Sequence, residues 1–437
     1  MNRQTTVTIV GAGLAGSEAA WQLAKRGIPV RLVEMKPVKY SPAHKYPGFG
    51  ELVCSNSLKA EHLSNASGLL KAELRAMGSL ILKCAEASRV PAGGALAVDR
   101  VRFSDGITAA LEGHPLVTVE RGVVRELPEA PAIVATGPLT DPALTEAIAA
   151  RTGVGALNFF DAAAPIVTAE SLDMTKVFRA SRYGRGTDDY LNCPMTEAEY
   201  NAFYDALISA ELAELHDFEK KLVFEGCLAV EILASRGRQT LAFGPLKPVG
   251  LVDPRTGKEP YAVVQLRQEN AQGTLYNLVG FQTRLKWGEQ KRVFGMIPGL
   301  ENAEFVRYGV MHRNTYLNGP AVLGRNYALK GDKLLRFAGQ LTGVEGYMES
   351  TASGLVAAVS LAKALAGQPE PDFTGRTLFG ALERHVRTPS ANFQPMNANF
   401  GIRDALPYRV KGKKNRYEKL SEVDIDTLNE VIKEYEL

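Results

Sequence analysis

One short glycine run and two distant cysteines carry the chemistry legible in this chain. Gly11-Ala12-Gly13-Leu14-Ala15-Gly16 has the spacing GxGxxG, and an acid, Glu34, follows. In such a turn the first glycine makes the bend and the second lets backbone approach a pyrophosphate. The third lets a helix pack close against a strand. The helix N-terminus faces the phosphate charge, and the acid takes the ribose hydroxyls. Cys54 lies in the polar run Leu52-Val53-Cys54-Ser55-Asn56-Ser57-Leu58, which is not a core pattern. Cys227 follows Gly226, and a glycine there allows close approach of a substrate. A thiol titrating near neutrality acts as a nucleophile or carries protons in either direction. By composition alone, each of these two cysteines reads equally well as a small buried residue. Cys84 ends the apolar stripe Leu70, Leu74, Met77, Ile81 and reads as core, and Cys193, before Pro194, reads as structural.

These residues need elements to hold them. The spacing predicts a strand over 7–10, a tight turn over 11–16, a helix over 17–26 and a strand over 30–33, together a βαβ unit. Helical periodicity runs over 69–84. A buried strand over 132–136 ends at Gly137. From about 166 to 303 polar and aromatic segments dominate. Thr196 and Glu199 make a capping-box pattern there, and 261–268 and 274–283 read as antiparallel strands. Small-residue character returns with a strand over 334–338, a glycine-rich loop over 339–347 and a helix over 351–365. The expected fold is α/β: a Rossmann-type domain over 1–165, a smaller inserted α+β domain over 166–304, the first domain resumed over 305–406, and a basic then acidic tail over 407–437. Two sequential domains would leave the C-terminal strand without a sheet to join.

The 437 residues carry 51 Lys+Arg against 48 Asp+Glu, with 45% hydrophobic and 23% charged residues. That balance excludes a disordered chain, a collagen, a coiled coil and a protein acting through bulk positive charge. No apolar run approaches the roughly 20 residues of a membrane helix, and the N-terminus does not read as a signal peptide, since the strand-like 5–10 runs straight into glycines. The four cysteines show no CxxC spacing, so the expectation is free thiols, no metal and a cytoplasmic location.

The segment 334–340 resembles the second FAD motif of glutathione-reductase-like flavoproteins, with Gln340 where Asp is usual. Ala135-Thr136-Gly137 resembles their middle motif. Three such elements favour FAD over NAD, with Gly339, Gln340, Gly343 and Gly346 joining the first turn in the cofactor-binding set. GAGLAGSEAAWQLA, ELVCSNSLK, FEGCLAVE and AGQLTGVEGYMESTASGL together resemble the folate-dependent, FAD-using tRNA (uracil-5-)-methyltransferase family, from Val7 to about Leu406. One departure is Ala229, where the family pattern has Pro. GidA, a tRNA-modifying flavoprotein, is a more distant likeness with a longer helical region.

The resemblance implies methylation of the T-loop uridine of tRNA. The one-carbon unit comes from 5,10-methylenetetrahydrofolate, and FAD, recharged by NAD(P)H, supplies reducing power. It makes Cys227 the nucleophile and Cys54 the proton-handling or flavin-side partner. Tyr347 is expected to stack on a pterin or flavin ring or to help deprotonate C5, and His312 to stack on folate. For tRNA phosphates two basic clusters stand out: Arg284, Lys286, Lys291 and Arg292 around Trp287, and Arg409, Lys411, Lys413, Lys414 and Arg416. The competing readings are a GidA-like wobble-uridine enzyme, a flavin oxidoreductase of a small molecule, and a flavoprotein that binds RNA or protein without methylating it.

Overall fold

A computed structural model describes residues 5–184, 187–213, 228–390 and 393–437, apart from the side chains of 159–162 and 311–313. Its first sheet runs Ala328–Leu329, Asp332–Phe337, Ala132–Val134, Val7–Val10, Val30–Glu34, Val117–Arg121. All pairings are parallel except the first. Parallel strands are covered on both faces and so read as apolar runs, which is why 7–10 and 132–134 were visible in the sequence. Asp332–Phe337 pairs with Ala132–Val134, so the late segment returns to the sheet that the early one began.

The second sheet is antiparallel, in the order Phe178–Arg179, Tyr190–Met195, Ala262–Gln268, Leu275–Leu278, Ile166–Thr168, Phe305–Arg307. Its buried side chains form their own cluster, drawn from Val167 to Ala303. The larger cluster draws from Val7 to Ile148 and again from Tyr316 to Val431. Between the sheets the chain departs along Leu157–Ala162 and returns along Met311–Tyr316, and these two strands pair antiparallel. The expected break at 304 falls one strand early, because Phe305–Arg307 still pairs with Ile166–Thr168.

Two further expectations give way. The periodic stretch 69–84 is two helices, Ala66–Ala76 and Leu80–Ala87. Gly78 between them takes φ +67°, and the Ser79 side chain then accepts from Leu82 N–H to start the second helix. The C-terminal tail is mostly a helix, Lys413–Tyr435, docked through buried Leu428 and Val431 on the larger core. Helices Thr196-capped Glu197–Ile208 and Tyr347–Leu365 confirm the capping box and extend the 351–365 prediction by one turn.

A buried ion pair fixes the docked helix. Arg403 Nε lies 3.0 Å from Asp424 Oδ2, and Arg403 Nη2 also bonds Asp424 Oδ1. Both residues are buried. Removing one member of such a pair leaves an uncompensated charge out of water. Arg403→Ala therefore loses about 3 kcal/mol of stability in a urea titration. Arg403→Met with Asp424→Leu recovers most of it. A single variant with the parent's midpoint contradicts this account.

Candidate functional site

The glycine turn separates into structural and open positions. Gly11 has φ +95°, and a Cβ on it would stand 2.7 Å from Ala135 O. A Cβ on Gly16 would stand 1.8 Å from Gly11 O. These two glycines are demanded by the protein's own packing. Gly13 is different: it caps the helix Leu14–Lys25 with φ −70°, and a Cβ there meets nothing within 4 Å. Any residue could take that backbone, so the space beside Gly13 is kept for something outside the chain. The helix begins three residues before the predicted 17, since Leu14, Ala15 and Gly16 form its first turn. Glu34 is buried at the end of its strand; Ala12 N–H donates to Oε2 at 2.7 Å and Lys36 N–H to Oε1 at 3.0 Å. Each oxygen retains a lone pair for a hydroxyl.

Gly13 opens onto a cavity of about 490 Å³, within the range of cofactor sites. Gly11, Gly13, Leu14, Ala15, Glu34, Gly339, Gln340, Gly346, Tyr347 and Cys54 all line it. Ala12, Gly16 and Gly343 do not: Ala12 offers its N–H to Glu34, and Gly343, at φ +95°, leaves room for the Phe393 ring 2.5 Å from where its Cβ would be. Gly339 takes φ +78° and donates its N–H to Ser353 Oγ at 2.7 Å, while Gln340 Nε2 donates to Glu345 Oε2 at 2.5 Å. A buried acid with spare lone pairs, an open glycine at a helix N-terminus and a second glycine loop on the same cavity fit a dinucleotide cofactor.

Cys54 is held on this cavity by contacts from three parts of the chain. Tyr347 opens the helix Tyr347–Leu365, and its hydroxyl accepts from Cys54 N–H at 2.9 Å and Ser55 N–H at 3.2 Å. From the second sheet, Arg267 Nε donates to Asn56 Oδ1 at 2.8 Å and Nη2 to Ser55 Oγ at 2.6 Å. Asn56 Nδ2 donates to Val98 O and to Gln268 O. Arg100 bonds Leu52 O and pairs with Glu269, 2.6 Å from Nε to Oε2. Arg100, Arg267 and Arg307 all lie within electrostatic reach of the Cys54 thiol. Burial of the hydroxyl, with Cys54 beside it, pushes Tyr347 well above the ordinary tyrosine range. Its ring borders the cavity.

The other named residues divide. Cys227 lies outside the described residues. His312 lies on Met311–Tyr316, opposite Asp161, and only its backbone is described. Burial lifts the Cys84 thiol to about 11 and raises Cys193 further, in keeping with packing roles. Trp287 is 62% exposed and stacks on Tyr308, ring centroids 5.4 Å apart. Its basic neighbours are largely compensated: Lys286 pairs with Glu211 at 2.8 Å, Arg292 with Glu289 at 2.5 Å and Arg284 with Glu231 at 3.9 Å. Arg100, Arg267 and Asn56 were missed by sequence reasoning; the only signal was the polar run after Cys54. Among the described residues no helix is long and apolar enough to cross a membrane, and no group of three His, Cys, Asp or Glu side chains is placed to hold a metal.

A parallel sheet with a GxGxxG turn and an acid closing the next strand defines a dinucleotide-binding protein of the Rossmann class. A family model described as glucose inhibited division protein A matches residues 6–369. Two curated relatives share the name methylenetetrahydrofolate–tRNA-(uracil-5-)-methyltransferase TrmFO. The one from Acetivibrio thermocellus is 58% identical, covering 98% of this chain and 99% of its own. The one from Desulforamulus reducens is 60% identical, covering 98% and 97%. Among solved structures, GidA of Aquifex aeolicus superposes with a TM-score of 0.68 at 15% identity, covering 98% of this chain and 76% of its own. The chain belongs to the GidA family and, within it, to the TrmFO methyltransferases.

Two outcomes follow from the geometry. Gly13→Val folds with the parent's far-ultraviolet circular dichroism but purifies with less than about a tenth of the parent's flavin, because its side chain fills the open space. Gly16→Ala instead yields little folded protein. Full yellow occupancy in Gly13→Val refutes the assignment of that space. Tyr347→Phe removes one acceptor from two amide groups, at a cost of about 1–2 kcal/mol. The variant keeps flavin while Cys54 reacts with iodoacetamide at an altered rate. An unchanged alkylation rate removes Tyr347 as the residue that positions this loop.

Proposed function

We infer that this chain transfers a one-carbon unit from methylenetetrahydrofolate to C5 of a uridine in tRNA, the T-loop uridine, and delivers it as methyl. The observation that supports this best is a single cavity lined by the open glycine turn, by Glu34 and by Cys54. A cofactor and a reactive thiol on one cavity is the arrangement the reaction needs. Near-full-length identity to relatives bearing that name favours it over a wobble-uridine enzyme, a small-molecule oxidoreductase and a non-methylating RNA binder.

FAD is the cofactor this reading assigns to the cavity: when bound, it supplies the two electrons that take a carbon from the formaldehyde level to methyl, with NAD(P)H as the external reductant. The protein's own part begins with orientation. Backbone N–H groups at the start of Leu14–Lys25 would hold the pyrophosphate, and Glu34 would accept from the ribose hydroxyls. Uracil C5 is a weak nucleophile. A cysteine thiolate adding to C6 pushes electrons onto C5 and O4, and C5 then attacks the one-carbon electrophile. Loss of the C5 proton with departure of the nitrogen that carried the carbon leaves an exocyclic methylene, and a hydride equivalent added to that methylene expels the thiolate, restores the ring and completes the methyl group. In this reading Cys227 is the nucleophile and Cys54 handles protons. A loop base must leave its stack to reach a thiol. His312 and the Tyr347 ring are the candidates for stacking on the pterin.

The test uses purified protein, tRNA transcript, methylenetetrahydrofolate and NAD(P)H. Native protein methylates the transcript and forms a covalent adduct with 5-fluorouridine-substituted tRNA, since fluorine at C5 cannot depart as a proton. Cys227→Ala loses both activities by at least about a hundredfold and keeps flavin. Cys54→Ala loses turnover and retains some adduct. An adduct that survives Cys227→Ala but needs Cys54 reverses the two roles. NADH oxidation indifferent to tRNA refutes the methyltransferase reading.

A further inference from the structure

The two basic clusters differ in how far their charge is compensated. Around Trp287 three of the four cations, Arg284, Lys286 and Arg292, pair with Glu231, Glu211 and Glu289. Residues 408–417 contain five cations and no acid. Arg409, Lys411, Lys413, Lys414 and Arg416 are all exposed, and of these only Lys414 has an ion pair among the described residues, with Glu418 at 3.9 Å.

The placement of these charges works against the element that carries them. Lys413 and Lys414 occupy the first turn of Lys413–Tyr435, Arg416 follows, and no acid lies in that turn. A helix N-terminus already carries partial positive charge, so cations there destabilise the helix. Glu434 sits at the opposite end, where an anion is equally unfavourable. Charge held at such a cost, exposed and with a single ion pair among five cations in the described residues, is the pattern of a surface that meets a polyanion.

Position favours one polyanion. Phe400 stacks on Tyr417 with ring centroids 4.4 Å apart, and Lys413 and Arg416 lie over the same Tyr417 ring at 5.6 and 5.4 Å. Three residues before Phe400, Asn397 lines the cavity and donates to Glu345 O at 2.9 Å. On the other side, Ser421 Oγ donates to Leu63 O at 2.6 Å, four residues from Lys59, which also lines the cavity. The basic segment therefore contacts two stretches of chain that reach the cavity within three or four residues. Tyr408, half exposed, adds an aromatic face to the patch.

We propose that Arg409, Lys411, Lys413 and Arg416 form the surface that holds tRNA backbone phosphates while the target loop enters the cavity. This rests on the methyltransferase reading above. The experiment measures tRNA affinity against salt for native protein, for Arg409→Gln with Lys411→Gln, for Lys413→Gln with Arg416→Gln, and for all four together. The fourfold variant shows a slope of log affinity against log salt lowered by about 3, with affinity down about tenfold or more at low salt. Each double variant shows about half the change in slope. Lys413→Gln with Arg416→Gln melts no lower than native protein, since it removes charges opposed to the helix dipole. A control with Lys286→Gln and Arg292→Gln keeps the native slope. If native protein methylates tRNA yet the fourfold variant keeps the native slope, this surface is wrong and the methyltransferase reading stands. If native protein neither binds nor methylates tRNA, or binds anionic vesicles in place of tRNA, the reading and the surface both fall.

Discussion

The contact on which the cofactor half depends is backbone against backbone. Helix Leu14–Lys25 and helix Tyr347–Leu365 cross where Gly354 faces Ala15: a Cβ on Gly354 would lie 2.1 Å from Ala15 O. Gly339 approaches the same residue, its would-be Cβ 3.1 Å from Ala15 Cβ. Only glycine permits such closeness. Because the two helices meet this tightly, the two glycine loops that precede them open onto one cavity. The same crossing sets the first residue of the later helix, Tyr347, against the Cys54 loop. Cofactor turn, second loop and thiol share a space because a glycine on the later helix lets its backbone meet that of the earlier one at Ala15.

The Cys54 loop shows how a polar segment is kept buried. Asn56 is buried with both Nδ2 hydrogens and its Oδ1 engaged, and buried Arg267 spends its donors on Ser55 and Asn56. Polar groups out of water are tolerated only when their bonds are made. The partners come from the first sheet's unit, from the second sheet and from the late helix, so the loop has its shape only when all three are assembled. The thiol environment is thus a property of the whole fold.

Much of this was legible from the sequence where the signal is local. The βαβ unit shows itself through buried parallel strands, a glycine turn and an acid at fixed offsets, and the return strand was visible as an apolar run ending in glycine. The break at Gly78 was not, because the apolar spacing on either side stays in phase with one helix. The docking of Lys413–Tyr435 was hidden by its surface charge, which outweighs the buried Leu428 and Val431 in any average. The cluster around Trp287 looked basic because two of its three acids, Glu211 and Glu231, lie more than fifty residues away. Arg100 and Arg267 gave no sign at all: a single arginine has no period, and its meaning comes from the segments that fold makes neighbours.

The bond from Arg267 Nε to Asn56 Oδ1 joins positions 211 residues apart in the chain. A residue at 267 without that donor leaves a buried amide oxygen unmatched, and a residue at 56 without that acceptor leaves a buried guanidinium donor unmatched. Each of the two positions thus limits what the other can hold.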